Sequence, residues 1–374
     1  MLETLDKKTS RTETGLAQQL QSVLKPSWLE NTDLFSRIKA DRLPHTAEWI
    51  LQEHTVAQWL DQKLGNIVVV TGPPASGKTF LASKVVDKLL SNYQQDGGDA
   101  SRVSAAYFFC KERLANMSSL AKMLRTVAYQ IAAQDKLYIK HIKDRTKELT
   151  WEYDVEELWK LLFYEYFSKA RGSSYVLIDS IDECDANDVR DLWKAMSKYP
   201  IPTSTDSASK LNLLFMTRTE RAKEMVDTLG PNVSQVVLDG SQGAADLAYF
   251  VKQRLHEAFE GTMISSALLG AIRTMVMEVA NGNYLHASVT VERLKLLHRE
   301  DMIRKFIDNP QRDLDDTVRY TLVHLTSDMD SKERADFQVR LIRNQWSSLR
   351  YTKTLVGHLR LGGLLASLHD RGAA

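Results

Sequence analysis

Ile67-Val68-Val69-Val70-Thr71-Gly72-Pro73-Pro74-Ala75-Ser76-Gly77-Lys78-Thr79 decides the fold. A β-branched apolar run stops at a glycine, a short gap follows, and Gly-Lys-Thr opens a helical pattern. The spacing is G-x-x-x-x-G-K-[ST], the Walker A phosphate loop, with a strand before it and a helix after it. Gly72 and Gly77 let the backbone curl where a Cβ would clash, so that main-chain N–H groups face an anion. The helix starting at Lys78 adds the positive end of its dipole. The Lys78 ammonium is expected to reach the β- and γ-phosphates, and the Thr79 hydroxyl to ligate Mg²⁺. Pro73 and Pro74 stiffen the loop by fixing φ. The candidate nucleotide-binding residues are Gly72, Pro73, Pro74, Ala75, Ser76, Gly77, Lys78, Thr79 and Phe80.

Downstream, Tyr175-Val176-Leu177-Ile178-Asp179 is an apolar strand that ends in an acid. This is the Walker B pattern, in which a buried parallel strand delivers a carboxylate to the metal. Ligands of open α/β sheets lie at the carboxyl ends of the strands, so Asp179 is expected to meet Lys78 and Thr79. Thr79 and Asp179 are the candidate metal ligands. Ser180 stands where many P-loop ATPases carry the glutamate that polarises water. Asp182 and Glu183 are the next acids and the candidates for that task; the alternative is that they cap a helix beginning near Asn187 or face solvent. Leu211-Asn212-Leu213-Leu214-Phe215-Met216 reads as another buried strand, ending in Thr217-Arg218. Arg218 is the candidate γ-phosphate sensor, acting as a finger supplied in cis; a surface arginine paired with Glu220 is the alternative.

The whole chain narrows the classes. Its 374 residues are enough for two or three domains. Apolar content of 43% can fill a core, and a net charge of +1 leaves no electrostatic footprint for nucleic acid or an anionic membrane. No apolar run approaches the about 20 residues needed to span a bilayer. The N-terminus has no apolar signal core. The cysteines, Cys110 and Cys184, are far apart and look like neither a disulfide framework nor a zinc site. A cytoplasmic protein is expected.

Residues 1–45 read as a helical segment or linker, with Leu16, Leu20 and Leu24 on one face. Residues 46–240 read as the nucleotide-binding domain. Within them, Trp49 and Trp59 are expected to cover the first strand. Strands are expected at Val103 to Cys110 and Val233 to Leu238, and helices over Lys78 to Tyr93, through Leu120 to Ile131, and through Val155 to Phe167. Residues 241–300 read as a helical subdomain, with Leu247, Phe250, Val251 and Leu255 on one face and Leu268, Ile272, Met275 and Val279 on the next. Residues 301–374 read as a partial second helical or winged-helix-like unit, with Val318, Leu322, Leu325, Phe337, Leu341 and Ile342 as apolar positions. The expected fold is α/β: a P-loop NTPase of three α/β/α layers with a mostly parallel sheet, followed by helical subdomains.

With both motifs placed, residues from about 40 to 300 resemble the NACHT-type NTPases of the STAND class. The similarity is nearest to the branch of fungal NOD-like receptors and the nephrocystin-3-like N-terminal module. It is carried by Gly72 to Thr79, by Ile178-Asp179-Ser180-Ile181-Asp182-Glu183-Cys184, by Ala106-Tyr107-Phe108-Phe109 with Tyr129-Gln130, by Phe215-Met216-Thr217-Arg218, and by Gly282-Asn283-Tyr284-Leu285-His286-Ala287. Arg42 and Trp49 fit the segment before the P-loop, whereas His45 stands where such proteins usually have glycine. The resemblance implies a signalling switch that closes around ADP, opens with ATP, hydrolyses slowly with Mg²⁺ and works through protein partners or self-oligomers. ATP is favoured and GTP stays open, since no guanine-reading Asn/Thr-Lys-x-Asp is present. A degenerate scaffold that keeps the fold without turnover, and a small-molecule P-loop kinase, are the competing readings.

Overall fold

The computed structural model describes residues 18, 20–61, 67–95, 103–145, 154–169, 172–201, 209–262, 264–297 and 299–310. The described residues fall into two compact units, one within Met1–Pro73 and Lys78–Leu238, the other within Pro74–Gly77 and Asp239–Ala374. Leu16 and the apolar positions from Val318 to Ile342 lie outside the described residues.

The first unit opens with α1 (Trp28–Asp41), a 3₁₀ turn at Glu48–Leu51 and α2 (His54–Leu60). β1 (Ile67–Gly72) leads through the P-loop to α3 (Lys78–Gln95), which runs past the expected Tyr93. Next come β2 (Val103–Phe109), the short α4 (Ala115–Ser118), α5 (Leu120–Ala132) and α6 (Lys136–Arg145). The helix expected through Val155 to Phe167 is interrupted: α7 (Val155–Trp159) passes through a π turn, Lys160–Tyr164, into α8 (Glu165–Phe167). Leu162, Phe163, Tyr166 and Phe167 all enter the core. Then follow β3 (Gly172–Asp179), a 3₁₀ turn at Ile181–Glu183, α9 (Ala186–Lys198), β4 (Ser209–Arg218), α10 (Thr219–Leu229) and β5 (Val233–Val237).

The five strands form one sheet in the order β2-β3-β4-β1-β5, and every pairing is parallel. Both faces are covered, as parallel sheets require. Side chains alternate along each strand. Val69, Phe108, Val176, Ile178, Leu213 and Phe215 pack on one side with residues of α5, α7 and α9, among them Trp193. Val68, Val70, Phe109, Tyr175, Leu177, Leu214 and Met216 pack on the other with Phe35 and Ile38 of α1, Val56 and Trp59 of α2, and Leu81, Val85 and Leu89 of α3. Trp59 is buried and meets Tyr175 edge-on at 5.0 Å, while Trp49 is partly buried against the same face. This is the expected three-layer α/β/α fold.

β2 is an edge strand, and its outward N–H and C=O groups would be left open. Side chains close them. Gln134 accepts from Ala105 N at 3.1 Å and donates to Ala105 O at 2.7 Å. Gln130 does the same for Tyr107 at 3.1 and 2.9 Å. Asn31, fully buried on α1, donates to Tyr107 O and accepts from Phe109 N, both at 3.0 Å. Asn31→Ala is expected to cost about 2 kcal/mol, because it leaves a buried backbone donor unpaired. The midpoint of urea unfolding checks this; a midpoint equal to that of the parent chain would contradict it.

The second unit holds α11 (Ala244–Phe259), α12 (Ser266–Ala280), α13 (Tyr284–Lys295) and α14 (Glu300–Asp308). Leu247, Val251, Leu255, Leu268, Ile272, Met275, Ala287, Val291, Leu294, Ile303 and Phe306 form its core. α12 ends at Asn281 with φ 42° and Gly282 with φ 83°. A Cβ on Gly282 would lie 2.9 Å from Gly240 Cα, so the two backbones approach as only glycine allows. Asn283 caps α13 by accepting from His286 N at 2.9 Å. The loop tip belongs to this unit: Tyr284 N donates to Ala75 O at 2.9 Å, and a Cβ on Gly77 (φ 86°) would meet the Tyr284 ring at 3.3 Å. Burial pushes the Tyr284 phenol well above its ordinary range, with Asp246 adding to the shift. Among the described residues no helix is long and apolar enough to cross a membrane.

Candidate nucleotide site

Three strand ends converge on the start of α3. In register, Gly72 of β1 stands beside Arg218 of β4, and Met216 of β4 stands beside Asp179 of β3. β4 therefore lies between the two motif-bearing strands. The helix itself is braced from α1: Arg42 donates to Ser83 Oγ at 2.7 Å and pairs with Asp87 at 2.5 Å, and Lys39 reaches Asp87 at 2.8 Å. Burial raises the Asp87 carboxyl, and hydrogen bonds from Lys39 and Arg42 outweigh it, leaving a net downward shift.

Thr79 Oγ1 donates to Asp179 Oδ2 at 2.8 Å, and Ser180 Oγ donates to the same oxygen at 3.2 Å. Asp179 is fully buried, and its Oδ1 has no hydrogen-bond partner among the described residues. Burial pushes this carboxyl above its usual range, against the pull of Lys111, Thr79 and Lys78. The Lys78 ammonium donates to Gly72 O at 2.8 Å and Pro73 O at 2.7 Å. Burial pulls its pKa down, and the nearby Asp179 and Asp182 charges oppose that. Lys78, Thr79 and Asp179 thus share one region of the first unit.

Ser180 adopts φ 56°, a conformation uncommon for a residue with a side chain, and turns the chain from β3 into the 3₁₀ turn. That turn aims Asp182 and Glu183 differently. Asp182 accepts from Thr217 Oγ1 at 3.1 Å and Arg218 N at 3.3 Å, and forms an ion pair with Arg218 Nε at 2.9 Å. Glu183 accepts from Glu112 N at 3.1 Å and lies 3.7 Å from Lys111 Nζ. Burial raises the Glu183 carboxyl, and Lys111 opposes the shift most. Neither acid caps a helix or faces solvent; the cap is Asp185, which accepts from Asn187 N and Asp188 N as α9 begins at Ala186. Arg218 thus has Asp182 as an ion-pair partner. Lys111, Glu112 and Thr217 are the partners that sequence reasoning assigned no such contact. Only Thr217 carried a signal, as a polar residue at a strand end.

A parallel sheet with Walker A on β1, Walker B on β3, and the lysine, hydroxyl and carboxylate brought together defines the P-loop NTPase class. Residues 45–218 match the family described as Nephrocystin 3, N-terminal. That segment is similar to the nephrocystin-3 N-terminal module, and its fold is that of a P-loop NTPase. Solved structures with similarity include ORC2 of Aeropyrum pernix in ADPNP–ADP complexes (17% identity, 72% of this chain and 68% of that one, TM-score 0.39). Another is Cdc6p of Pyrobaculum aerophilum (14%, 81% and 70%, TM-score 0.35). A third is the RuvB Holliday junction branch migration motor of Thermotoga maritima (14%, 80% and 76%, TM-score 0.30). No curated protein matches the chain.

Proposed function

We propose that the chain binds a nucleoside triphosphate with Mg²⁺, ATP favoured over GTP, and uses it as a slowly hydrolysing conformational switch of the NACHT/STAND type. The observation that carries this reading is the Thr79–Asp179 pair at 2.8 Å, joined across 100 residues of sequence, with one buried carboxylate oxygen left unpartnered. An unsatisfied buried acceptor is costly, and a divalent cation at that oxygen relieves the cost and favours the carboxylate anion. Thr79 and Asp179 fit the metal. Mg²⁺, when bound, neutralises charge on the phosphate oxygens. Lys78 would exchange the carbonyls of Gly72 and Pro73 for phosphate oxygens.

Arg218 supplies the switch. Its ion pair with Asp182 competes with any contact to a γ-phosphate, so the triphosphate and diphosphate states would hold it unequally. Unequal contacts of this kind are what allow a ligand to bias a conformation. Asp182 and Glu183 are the candidates for orienting water. Both are already engaged, and Ser180 follows Asp179 directly, which supports slow turnover. The same facts favour a second reading, a scaffold that binds nucleotide and does not turn it over. The setting we infer is cytoplasmic, and a protein partner or second copy, rather than nucleic acid, accords with the net charge of +1.

Phosphate release from ATP by the purified chain separates switch from scaffold: slow release that is lost in Lys78→Ala supports the former, and binding with no release the latter. Arg218→Ala is expected to reduce the preference for triphosphate over diphosphate by about tenfold, one lost charge-assisted contact. Competitive titration of the two nucleotides reads it, and an unaltered preference would remove Arg218 from the sensing role.

A further inference from the structure

The cysteines look unrelated in sequence, and the fold brings them together. Cys110 follows the last residue of β2, and its N–H donates to Asp179 O at 2.9 Å. Cys184 closes the turn after β3, donating to Ile181 O at 3.1 Å. Cys184 packs against the buried cluster that contains Cys110. Neighbouring residues tie the same two segments, through Glu112 N to Glu183 and Lys111 to Glu183. Cys110 is fully buried, while Cys184 is half-buried and packs against that core. Cys184 also lines a cleft with Asp182, Trp193, Thr217 and Arg221, and Arg221 is exposed. Access is therefore unequal: small molecules reach Cys184 first.

We propose that Cys110 and Cys184 form a reversible dithiol–disulfide modification site, oxidised by hydrogen peroxide, that joins the end of β2 to the turn carrying Asp182 and Glu183. The Cys184 sulfur attacks the peroxide; the O–O bond breaks, Cys184 becomes a sulfenic acid and one water leaves. The Cys110 sulfur then displaces the sulfenic hydroxyl, forming the S–S bond. Its proton departs with that hydroxyl as a second water. Both sulfurs are oxidised, the peroxide is reduced, and a dithiol reductant reverses the bond. Cys110 is fully buried and Cys184 is not, so Cys110 is placed to resolve rather than to react first. The site does not depend on nucleotide, so its test and that of the nucleotide reading fail separately.

The test oxidises the full chain with hydrogen peroxide, then alkylates it in denaturant and measures intact mass and linked peptides. The expected product is a monomer lighter by two hydrogens, with Cys110 linked to Cys184, no alkylated thiol, and both thiols restored by dithiothreitol. Closure should be at least about tenfold faster in native buffer than in strong denaturant, because the fold supplies the effective concentration. In Cys184→Ser, Cys110 should stay reduced and become alkylatable only on unfolding. The proposal is overturned if native protein accumulates sulfinic Cys184 with Cys110 free, if links form only between chains, or if folding gives no acceleration.

Discussion

Lys78→Ala is expected to abolish the thermal shift that Mg-nucleotide confers on the parent chain. At a hundredfold excess over Kd, binding to the folded state alone adds about 2.7 kcal/mol. Lys78 stands in the first turn of α3, its ammonium against the carbonyls of Gly72 and Pro73 and in the field of Asp179 and Asp182. Alanine is a good helix former, so α3 should persist while the cation is lost. Differential scanning with and without Mg-ATP reads the effect. An undiminished shift in the variant would take Lys78 out of the phosphate site.

Asp179→Asn is expected to separate metal binding from folding. The amide keeps an oxygen for the Thr79 hydroxyl and loses the charge. The Mg²⁺ dependence of nucleotide affinity should weaken by about tenfold or more, the scale found for loss even of an outer-shell metal partner. Without ligand, the fold should gain rather than lose stability at neutral pH. The sign follows from linkage. Burial raises the folded carboxyl above its ordinary range, so the folded state holds the proton more tightly than the unfolded chain. The Asp179 contribution is then fully favourable below the unfolded value and is lost as pH rises through the raised one. Asparagine removes that loss, so the variant's advantage should grow with pH across the same window. Melting curves over an acid-to-neutral series check it; an advantage that shrinks as pH rises would contradict the burial argument.

The motifs were legible because their chemistry is local. A glycine-bounded loop between an apolar run and a helix, and an apolar run ending in Asp179, announce themselves in a few residues each. The layers followed from the same runs, since strands buried on both faces read as continuous apolar stretches. Pairings across the sheet were another matter. Nothing local says that Asp182 meets Arg218, that Lys111 meets Glu183, or that Gln130 and Gln134 close the β2 edge. Each depends on which strands become neighbours. The cysteines show this best: their separation in sequence argues against a pair, and the turn after β3 returns Cys184 to the core that holds Cys110. The π turn at Lys160–Tyr164 was hidden because the apolar spacing on either side of it fits an ordinary helix. The helix cap was also missed: Asp182 and Glu183 are the caps the sequence suggests for a helix near Asn187, whereas the helix begins at Ala186 and Asp185 caps it.

The central claim is that Lys78, Thr79 and Asp179 together hold one metal–triphosphate. The most direct measurement is calorimetric titration of the full chain with ATP, once in Mg²⁺ and once in EDTA. A single saturable site that weakens by about tenfold or more when the metal is withdrawn is the predicted result. Equal affinity in the two buffers, or no saturable binding in either, would contradict it.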